Sequence, residues 1–180
     1  MSTKTKVMIV DDSALVRQVI TQAISRDPSI EVVATAQDPI FALEKLKTLW
    51  PDVIVLDIEM PRMDGFDLTR NIRADTRFKN IPIIMITALG SSESRISALA
   101  NGAEEFLTKP VAREELVMRI RNLLKLKKFQ DDLSTYSNEL EVQVAERAKA
   151  LNDANMQLDE AQKRLLQSDK MAALGQLAAG

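Results

Sequence analysis

Short apolar runs alternate with amphipathic segments over the first part of the chain. The runs are rich in Val and Ile and about five residues long, which is typical of buried strands. They read KVMIV, EVVATA, DVIVLD, IPIIMIT and EEFLT, at residues 6–10, 31–36, 52–57, 81–87 and 104–108. Because they are apolar throughout instead of on every second residue, they predict parallel strands that are covered on both faces.

Helical patterns fill the gaps between these strands, and each pattern begins at a residue that favours a helix start. In chain order the starts are Ser13, Asp38 with Pro39, Asp64, Ser91 or Ser92, and the segment after Pro110. Five strands that alternate with five helices predict an α/β fold, a doubly wound five-stranded parallel sheet with helices on both faces.

A long helical segment follows the alternating part, since residues 111–174 contain neither Pro nor Gly. Apolar residues recur there at alternating spacings of three and four, with an irregular offset at Val144. The recurring positions are Leu126, Phe129, Leu133, Tyr136 and Leu140, then Leu151, Ala154, Leu158, Ala161 and Leu165. A lone helix would expose this seam, so the pattern predicts a parallel two-stranded coiled coil, and hence a homodimer, over residues 126–168. The alternative is a long, charged, partly frayed tail.

Composition excludes several classes of function. The net charge of −2 gives no indication of a surface for nucleic acid or an anionic membrane, and we expect neither as a partner. No apolar run approaches the roughly 18 residues of a membrane span. The chain has no cysteine, which excludes disulfides and thiolate metal sites and agrees with a cytoplasmic location. It also has no histidine, so no imidazole of this chain can serve as base, ligand or phosphoryl carrier.

Polar side chains end or directly follow four of the predicted strands, at the edge where ligands of parallel sheets bind. They are Asp11, Asp12, Asp57, Thr87 and Lys109. Crowded carboxylates repel one another, and Mg²⁺ is a suitable counter-charge because it prefers oxygen ligands. One carboxylate could then act as a nucleophile and form an acyl phosphate. The ammonium group and the hydroxyl could contact the phosphoryl oxygens.

The segments IVDDS, VLDIEMPRMDG, ITA and LTKP resemble the marker segments of response-regulator receiver domains, the chemotaxis-type receivers of two-component signalling. The resemblance covers residues 6–127. It implies a flavodoxin-like sheet with strand order 2-1-3-4-5. It also implies that Asp57 is the phosphoacceptor, which takes phosphate from a histidine kinase or a phosphotransfer protein.

The same resemblance implies a set of metal ligands. Asp12 and Asp57 should bind Mg²⁺ directly, together with the backbone carbonyl of Glu59. Asp11 should act through water or at longer range. The alternative for the two neighbouring aspartates, Asp11 and Asp12, is that they only cap the first helix.

The resemblance also implies switch residues. The Thr87 hydroxyl should move toward the phosphate, and Phe106 should change rotamer in response. Lys109 should pair first with Asp57 and later with the phosphoryl group, and a cis peptide should precede Pro110. The alternatives are that Thr87 is an ordinary hydroxyl at a strand end and that Phe106 is a plain core residue.

The segment LLQSDKMAALGQLAAG, residues 165–180, resembles the lead-in to a histidine-kinase dimerisation domain. We therefore predict a receiver domain over residues 1–125, a coiled-coil signalling helix over 126–168 and the truncated start of a dimerisation segment over 169–180. The parent protein would be a hybrid histidine kinase. The alternative is an unrelated alanine-rich helix end.

Three functions are compatible with this pattern. The first is a phosphoacceptor receiver that transmits its state through a dimeric coiled coil and has no enzymatic activity except autodephosphorylation. The second is a Mg²⁺-dependent phosphohydrolase with an aspartyl nucleophile, because Glu59 lies two residues after Asp57, where such enzymes carry an acid/base. The third is a structural dimerisation module whose acidic pocket is silent.

Overall fold

The computed structural model describes residues 4–88, 90 and 92–178, and describes only the backbone for residues 92–94 and 168–178. Five strands and five helices alternate in chain order: β1 (Thr5–Val10), α1 (Ala14–Ile24), β2 (Ile30–Ala36), α2 (Pro39–Leu46), β3 (Val53–Asp57), α3 (Gly65–Ala74), β4 (Ile83–Thr87), α4 (Ser92–Ala100), β5 (Glu105–Thr108) and α5 (Arg113–Ala178). All strand pairs are parallel, and the strand order is β2-β1-β3-β4-β5. This confirms the predicted α/β fold, a doubly wound flavodoxin-like sheet with a long C-terminal helix.

The apolar character of the central strands follows from burial on both faces. Every residue of β3 and β4 is buried. Alternate residues point to two separate clusters: Met8, Ile54 and Met85 enter one cluster, and Ile9 and Val55 enter the other. Because a strand in the middle of such a sheet has no solvent side, a continuous apolar run is the sequence that suits it.

The predicted helix starts are confirmed by hydrogen bonds from side chains. Ser13 caps α1, Asp38 caps α2 and Asp64 caps α3, each by accepting a hydrogen bond from a backbone N–H three residues later. The fourth helix begins at Ser92, while Ser91 lies outside the described residues. Strand β4 begins two residues later than the run IPIIMIT predicts, because Pro82 has no N–H to donate to a ladder.

The chain divides into two compact units, Met1–Phe129 and Gln130–Gly180. Within the first unit, the start of α5 is fixed by buried apolar residues and by polar bonds. Leu116, Ile120 and Leu123 enter the cluster that contains Ile9. The Arg121 guanidinium lies 2.6 Å from the Asp27 carboxylate. These contacts attach the root of the helix to the sheet.

The second unit is the continuation of α5, whose predicted seam is exposed in the single chain. Leu133 is 68% exposed and Leu158 is 59% exposed. Pairing of this seam stays a prediction, and so do the domain limits at residues 125 and 168. Over the described residues, no helix combines the length and the apolar character that crossing a membrane requires.

Candidate functional site

The strand register brings the predicted polar residues side by side at the carboxyl edge of the sheet. Val10 pairs with Leu56, so the next residues of the two chain segments, Asp11 after β1 and Asp57 at the end of β3, lie side by side. Asp57 in turn pairs with Ile86, and Thr87 pairs with Thr108 at the next strand boundary. Polar residues suit these ends because a strand that continues beyond the edge of the core meets solvent.

Three carboxylates meet at this edge. Asp11, Asp12 and Asp57 each contribute one oxygen, and these oxygens all lie within 4.8 Å of one another. Asp11 and Asp57 are buried, with 2% and 3% of their surface exposed, whereas Asp12 is exposed. An oxygen-rich cluster that is open to solvent on one side is a geometry that a hard divalent cation could enter.

Lys109 is the cation that the chain itself supplies to the cluster. Its Nζ lies 2.9 Å from Asp11 Oδ2 and 2.9 Å from Asp57 Oδ2. The Lys109 backbone N–H donates to the Thr87 carbonyl at 2.7 Å, which holds the residue beside β4. The peptide before Pro110 is cis, as predicted. Burial opposes the charged form of Lys109, but its hydrogen bonds to Asp57 and Asp11 outweigh burial and raise its pKa.

Asp57 carries the strongest electrostatic perturbation of the site. Burial raises its pKa from 3.8 to about 6, against the hydrogen bond from Lys109, and the neighbouring charges of Asp11 and Glu59 raise it further. Its two oxygens differ: Oδ2 contacts Lys109, whereas Oδ1 is buried and has no hydrogen-bond partner among the residues that the structure describes. A buried oxygen of this kind is costly unless a ligand or ion satisfies it.

Both oxygens of Asp11 have partners within the chain. Oδ2 contacts Lys109, and Oδ1 accepts from the Ser13 N–H at 2.8 Å. Asp11 therefore does more than cap α1, because Ser13 is the capping residue and Asp11 makes an ion pair with Lys109. The role of Asp12 stays a prediction. No motif in the sequence indicates a role for Arg17, which lies on the first turns of α1 shortly after the aspartates. Its Nη1 donates to the carbonyls of Asp11 at 2.6 Å and Asp12 at 3.1 Å.

Thr87 is buried at the end of β4 and donates its hydroxyl hydrogen to Glu59 Oε1. The Ala88 N–H donates to Glu59 Oε2 at 3.2 Å. The resemblance implies a metal-binding backbone carbonyl at Glu59 and gives no indication of the contacts that its carboxylate makes. The only available signal was its position two residues beyond Asp57, which places it past the same strand end.

The turn between β3 and α3 is shaped by close backbone contacts. A Cβ on Gly65 would lie 2.4 Å from the Asp57 carbonyl oxygen and 2.9 Å from Ile58 Cα, so a larger residue does not fit there. Arg62 has a φ of 74° and its Nη2 donates to Asp38 Oδ2 at 2.7 Å. The Arg62 bond ties this turn to the start of α2, and Gly65 lets its backbone lie close to the end of β3.

Phe106 lies on β5, opposite Met85, and is partly buried against the cluster that contains Met8. It lies outside the carboxylate cluster. These contacts suit a core residue as well as a switch residue, and its rotamer change stays a prediction.

Comparisons with known proteins agree with this geometry. A family model described as the response regulator receiver domain matches residues 7–121. A protein-glutamate methylesterase/protein-glutamine glutaminase 2 of Dechloromonas aromatica (strain RCB) is 52% identical over 112 residues, which are 61% of this chain and 30% of that protein. The chain thus spans about a third of the length of the curated relatives it matches.

Two solved structures are similar over about two thirds of the chain. The response regulator domain of Thermotoga maritima CheB has a TM-score of 0.61 and 35% identity, and the match covers 68% of this chain and 97% of that one. A chain of the CheX-CheY-BeF3-Mg+2 complex from Borrelia burgdorferi has a TM-score of 0.62 and 33% identity, covering 67% of this chain and 90% of that one.

Proposed function

The chain belongs to the response regulator receiver domain family, and on this premise we propose that Asp57 accepts a phosphoryl group from a histidine kinase or a phosphotransfer protein. The observation that carries the proposal is the buried Asp57 Oδ1, which has no partner among the described residues and lies within a cluster of carboxylates. That oxygen is available to a metal or to phosphorus, while Lys109 holds its neighbour Oδ2.

The donor set fits Mg²⁺, because it consists of oxygen atoms and includes an exposed carboxylate. Asp12, Asp57 and the backbone carbonyl of Glu59 would hold the ion. Asp11 would act through water, since Lys109 and Ser13 already engage its oxygens. When bound, Mg²⁺ would neutralise the carboxylates and the incoming phosphoryl group.

The residues of the chain have separate tasks in the transfer. A carboxylate oxygen of Asp57 attacks the phosphorus of the donor phosphohistidine, the P–N bond breaks, and its electron pair leaves with the imidazole nitrogen of the donor. With a pKa of about 6, Asp57 is mostly ionised at neutral pH and needs no base to deprotonate it. Lys109 shifts from the carboxylate to a phosphoryl oxygen, and Thr87 donates to another.

The output is proposed to pass through α5. The seam of residues 126–168 would pair with a second copy in a parallel homodimer, and residues 169–180 would lead into a histidine-kinase dimerisation domain. The exposure of the seam supports this pairing. The similarity to methylesterases extends over 112 residues and supports the receiver unit, without assigning an esterase activity to this chain. We propose a cytoplasmic location for the whole protein.

The test is incubation with Mg²⁺ and acetyl phosphate, followed by intact-mass measurement. We expect a mass gain of one phosphoryl group on the wild type that hydroxylamine removes, and no gain on Asp57→Asn. No gain on the wild type, or an equal gain on Asp57→Asn, would overturn the assignment.

Two other functions are separated by further measurements. A phosphohydrolase needs an acid beside the nucleophile that is free to reach the substrate, but both Glu59 oxygens are engaged, one by the Thr87 hydroxyl and the other by the Ala88 N–H. Multiple turnover on a phosphomonoester would favour it nonetheless. A silent dimerisation module would show no response of oligomeric state or helix dynamics to Mg²⁺ with beryllofluoride.

A further inference from the structure

The Glu59 carboxylate accepts hydrogen bonds from two donors that lie beside the proposed phosphoacceptor. Thr87 Oγ1 donates to one of its oxygens and the Ala88 N–H donates to the other at 3.2 Å. Thr87 is the last residue of β4 and Ala88 follows it, and Ile86 on the same strand is the register partner of Asp57. The two donors therefore lie at the strand end next to the reacting carboxylate.

A phosphoryl group on Asp57 would need these same donors. It carries up to about two negative charges spread over three terminal oxygens, each a strong hydrogen-bond acceptor. A metal in the carboxylate cluster and the ammonium of Lys109 can satisfy two of them. The third requires donors from the neighbouring strand end, where the Thr87 hydroxyl and the Ala88 N–H are both engaged by Glu59.

We propose that the Glu59 side chain takes the place of the phosphoryl oxygens in the unphosphorylated protein and must leave Thr87 and Ala88 when Asp57 is phosphorylated. The inference rests on the function proposed above. Glu59 is then a positioning residue, which sets the affinity of the site for a phosphoryl group by competing for its donors.

Two observations support a competition of this kind. Glu59 is exposed, so its carboxylate can move into water, whereas Thr87 is only 1% exposed and is held in the sheet. In addition, a carboxylate and a phosphoryl group are both anions, and their close approach at one pair of donors is unfavourable. We therefore expect the exposed Glu59 carboxylate to leave the two donors.

The experiment measures beryllofluoride affinity by ¹⁹F NMR at saturating Mg²⁺, which requires no turnover. Glu59→Ala removes the competitor, and we expect its beryllofluoride affinity to rise about tenfold, the size of one charge-assisted hydrogen bond. Glu59→Gln keeps an acceptor oxygen without the charge, and its affinity should lie between those of the wild type and Glu59→Ala. Glu114→Ala removes an exposed carboxylate at the start of α5 and should leave the affinity unchanged.

A double-mutant cycle with Thr87→Val distinguishes competition from a general charge effect. With the hydroxyl gone, Glu59 has one fewer donor to block, so Glu59→Ala should raise the affinity by less than about threefold in this background. An equal gain in both backgrounds would overturn the inference, as would an unchanged or weaker affinity of Glu59→Ala. If the wild type binds no beryllofluoride with Mg²⁺, it is the proposed function that fails.

Discussion

At the scale of the residue, the buried charge of Asp57 has a cost that depends on pH. Burial raises its pKa from 3.8 to about 6, so the folded state binds the proton more tightly than the unfolded state does. The cost is therefore absent below about pH 4, grows as pH rises, and is complete above about pH 6. The proposed phosphoryl transfer needs an ionised carboxylate, and this need would account for a charge that lowers stability.

Asp57→Asn, which is neutral at every pH, should stabilise the protein in Mg²⁺-free buffer. We expect the free energy of unfolding to rise by up to about 3 kcal/mol near pH 7.5, at about 1.4 kcal/mol for each pKa unit. The gain should fall to about a third of that value near about pH 4.5. Urea unfolding of both proteins at the two pH values measures the difference. A gain of the same size at both values would contradict the assigned cause.

The close contact at Gly65 predicts a second effect. A Cβ there would lie 2.4 Å from the Asp57 carbonyl oxygen, which is backbone and cannot rotate away. Gly65→Ala should cost about 1–3 kcal/mol of stability and should weaken Mg²⁺ binding, because the Glu59 carbonyl belongs to the same turn.

Gly90→Ala is the matched control, since its Cβ would meet only the side chain of Thr108, at 3.0 Å. Its effect on urea unfolding and on a Mg²⁺ titration should be smaller. Equal losses in the two variants would show that the backbone contact at Gly65 is not the cause.

The sequence predicts which residues reach the site better than it predicts their contacts. Asp57 and Lys109 could be placed because the end of each apolar run marks an edge of the sheet. Other contacts depend on side-chain rotamers and loop geometry. Examples are the bonds of Asp11 to both Lys109 and Ser13 and the hydrogen bonds of Arg17 to two backbone carbonyls. Neither leaves a periodic signal in a sequence.

At the scale of the element, hydrophobic periodicity predicts the strands to within two residues, because the buried strands have apolar residues on both faces. The misplaced start of β4 reflects Pro82, which lacks the donor that a ladder needs. The register shift between Val7 and Met8 on β1 has no such marker, since both residues are apolar and buried. Backbone pairing of this kind is decided by the neighbouring strand.

The second unit leads to a prediction about α5. Leu133 and Leu158 lie on the seam and are largely exposed in the single chain. Leu133→Ser with Leu158→Ser should weaken self-association at least tenfold, because burial of one leucine contributes about 1.5–3 kcal/mol. Sedimentation equilibrium measures the dissociation constant.

Val142→Ser provides the control, because Val142 is 58% exposed but lies off the seam. It should self-associate like the wild type. Self-association of the seam double variant at wild-type strength would exclude the coiled coil, whereas weakening by Val142→Ser to the same degree would place the interface on another face of the helix.

At the scale of the whole molecule, the chain joins two units with different sources of stability. The first unit buries a sheet between two clusters of apolar side chains. The second is a helix whose apolar residues are exposed. Sequence periodicity predicts the sheet of the first unit and the helix of the second. It does not identify the chain that pairs with the exposed seam, since any helix with a matching seam would cover it.

This division predicts that Mg²⁺ stabilises the first unit selectively. A ligand that binds only the folded state adds about 2.7 kcal/mol at 100 times its dissociation constant. Trp50 is the only tryptophan of the chain and packs against Phe78 in the first unit, with ring centroids 5.1 Å apart. Its fluorescence should report an unfolding transition that Mg²⁺ moves to higher urea concentration. The stability of the second unit should not change with Mg²⁺.

Asp12→Asn tests the site directly, because Asp12 is an exposed member of the carboxylate cluster and can be changed without opening the core. We expect it to lose most of the Mg²⁺-dependent gain, whereas Asp131→Asn, an exposed carboxylate of the second unit, should keep all of it. Equal gains in these two variants would place the ion elsewhere on the chain. An unmoved Trp50 transition in the wild type would show that the carboxylates are balanced by Lys109 without a metal.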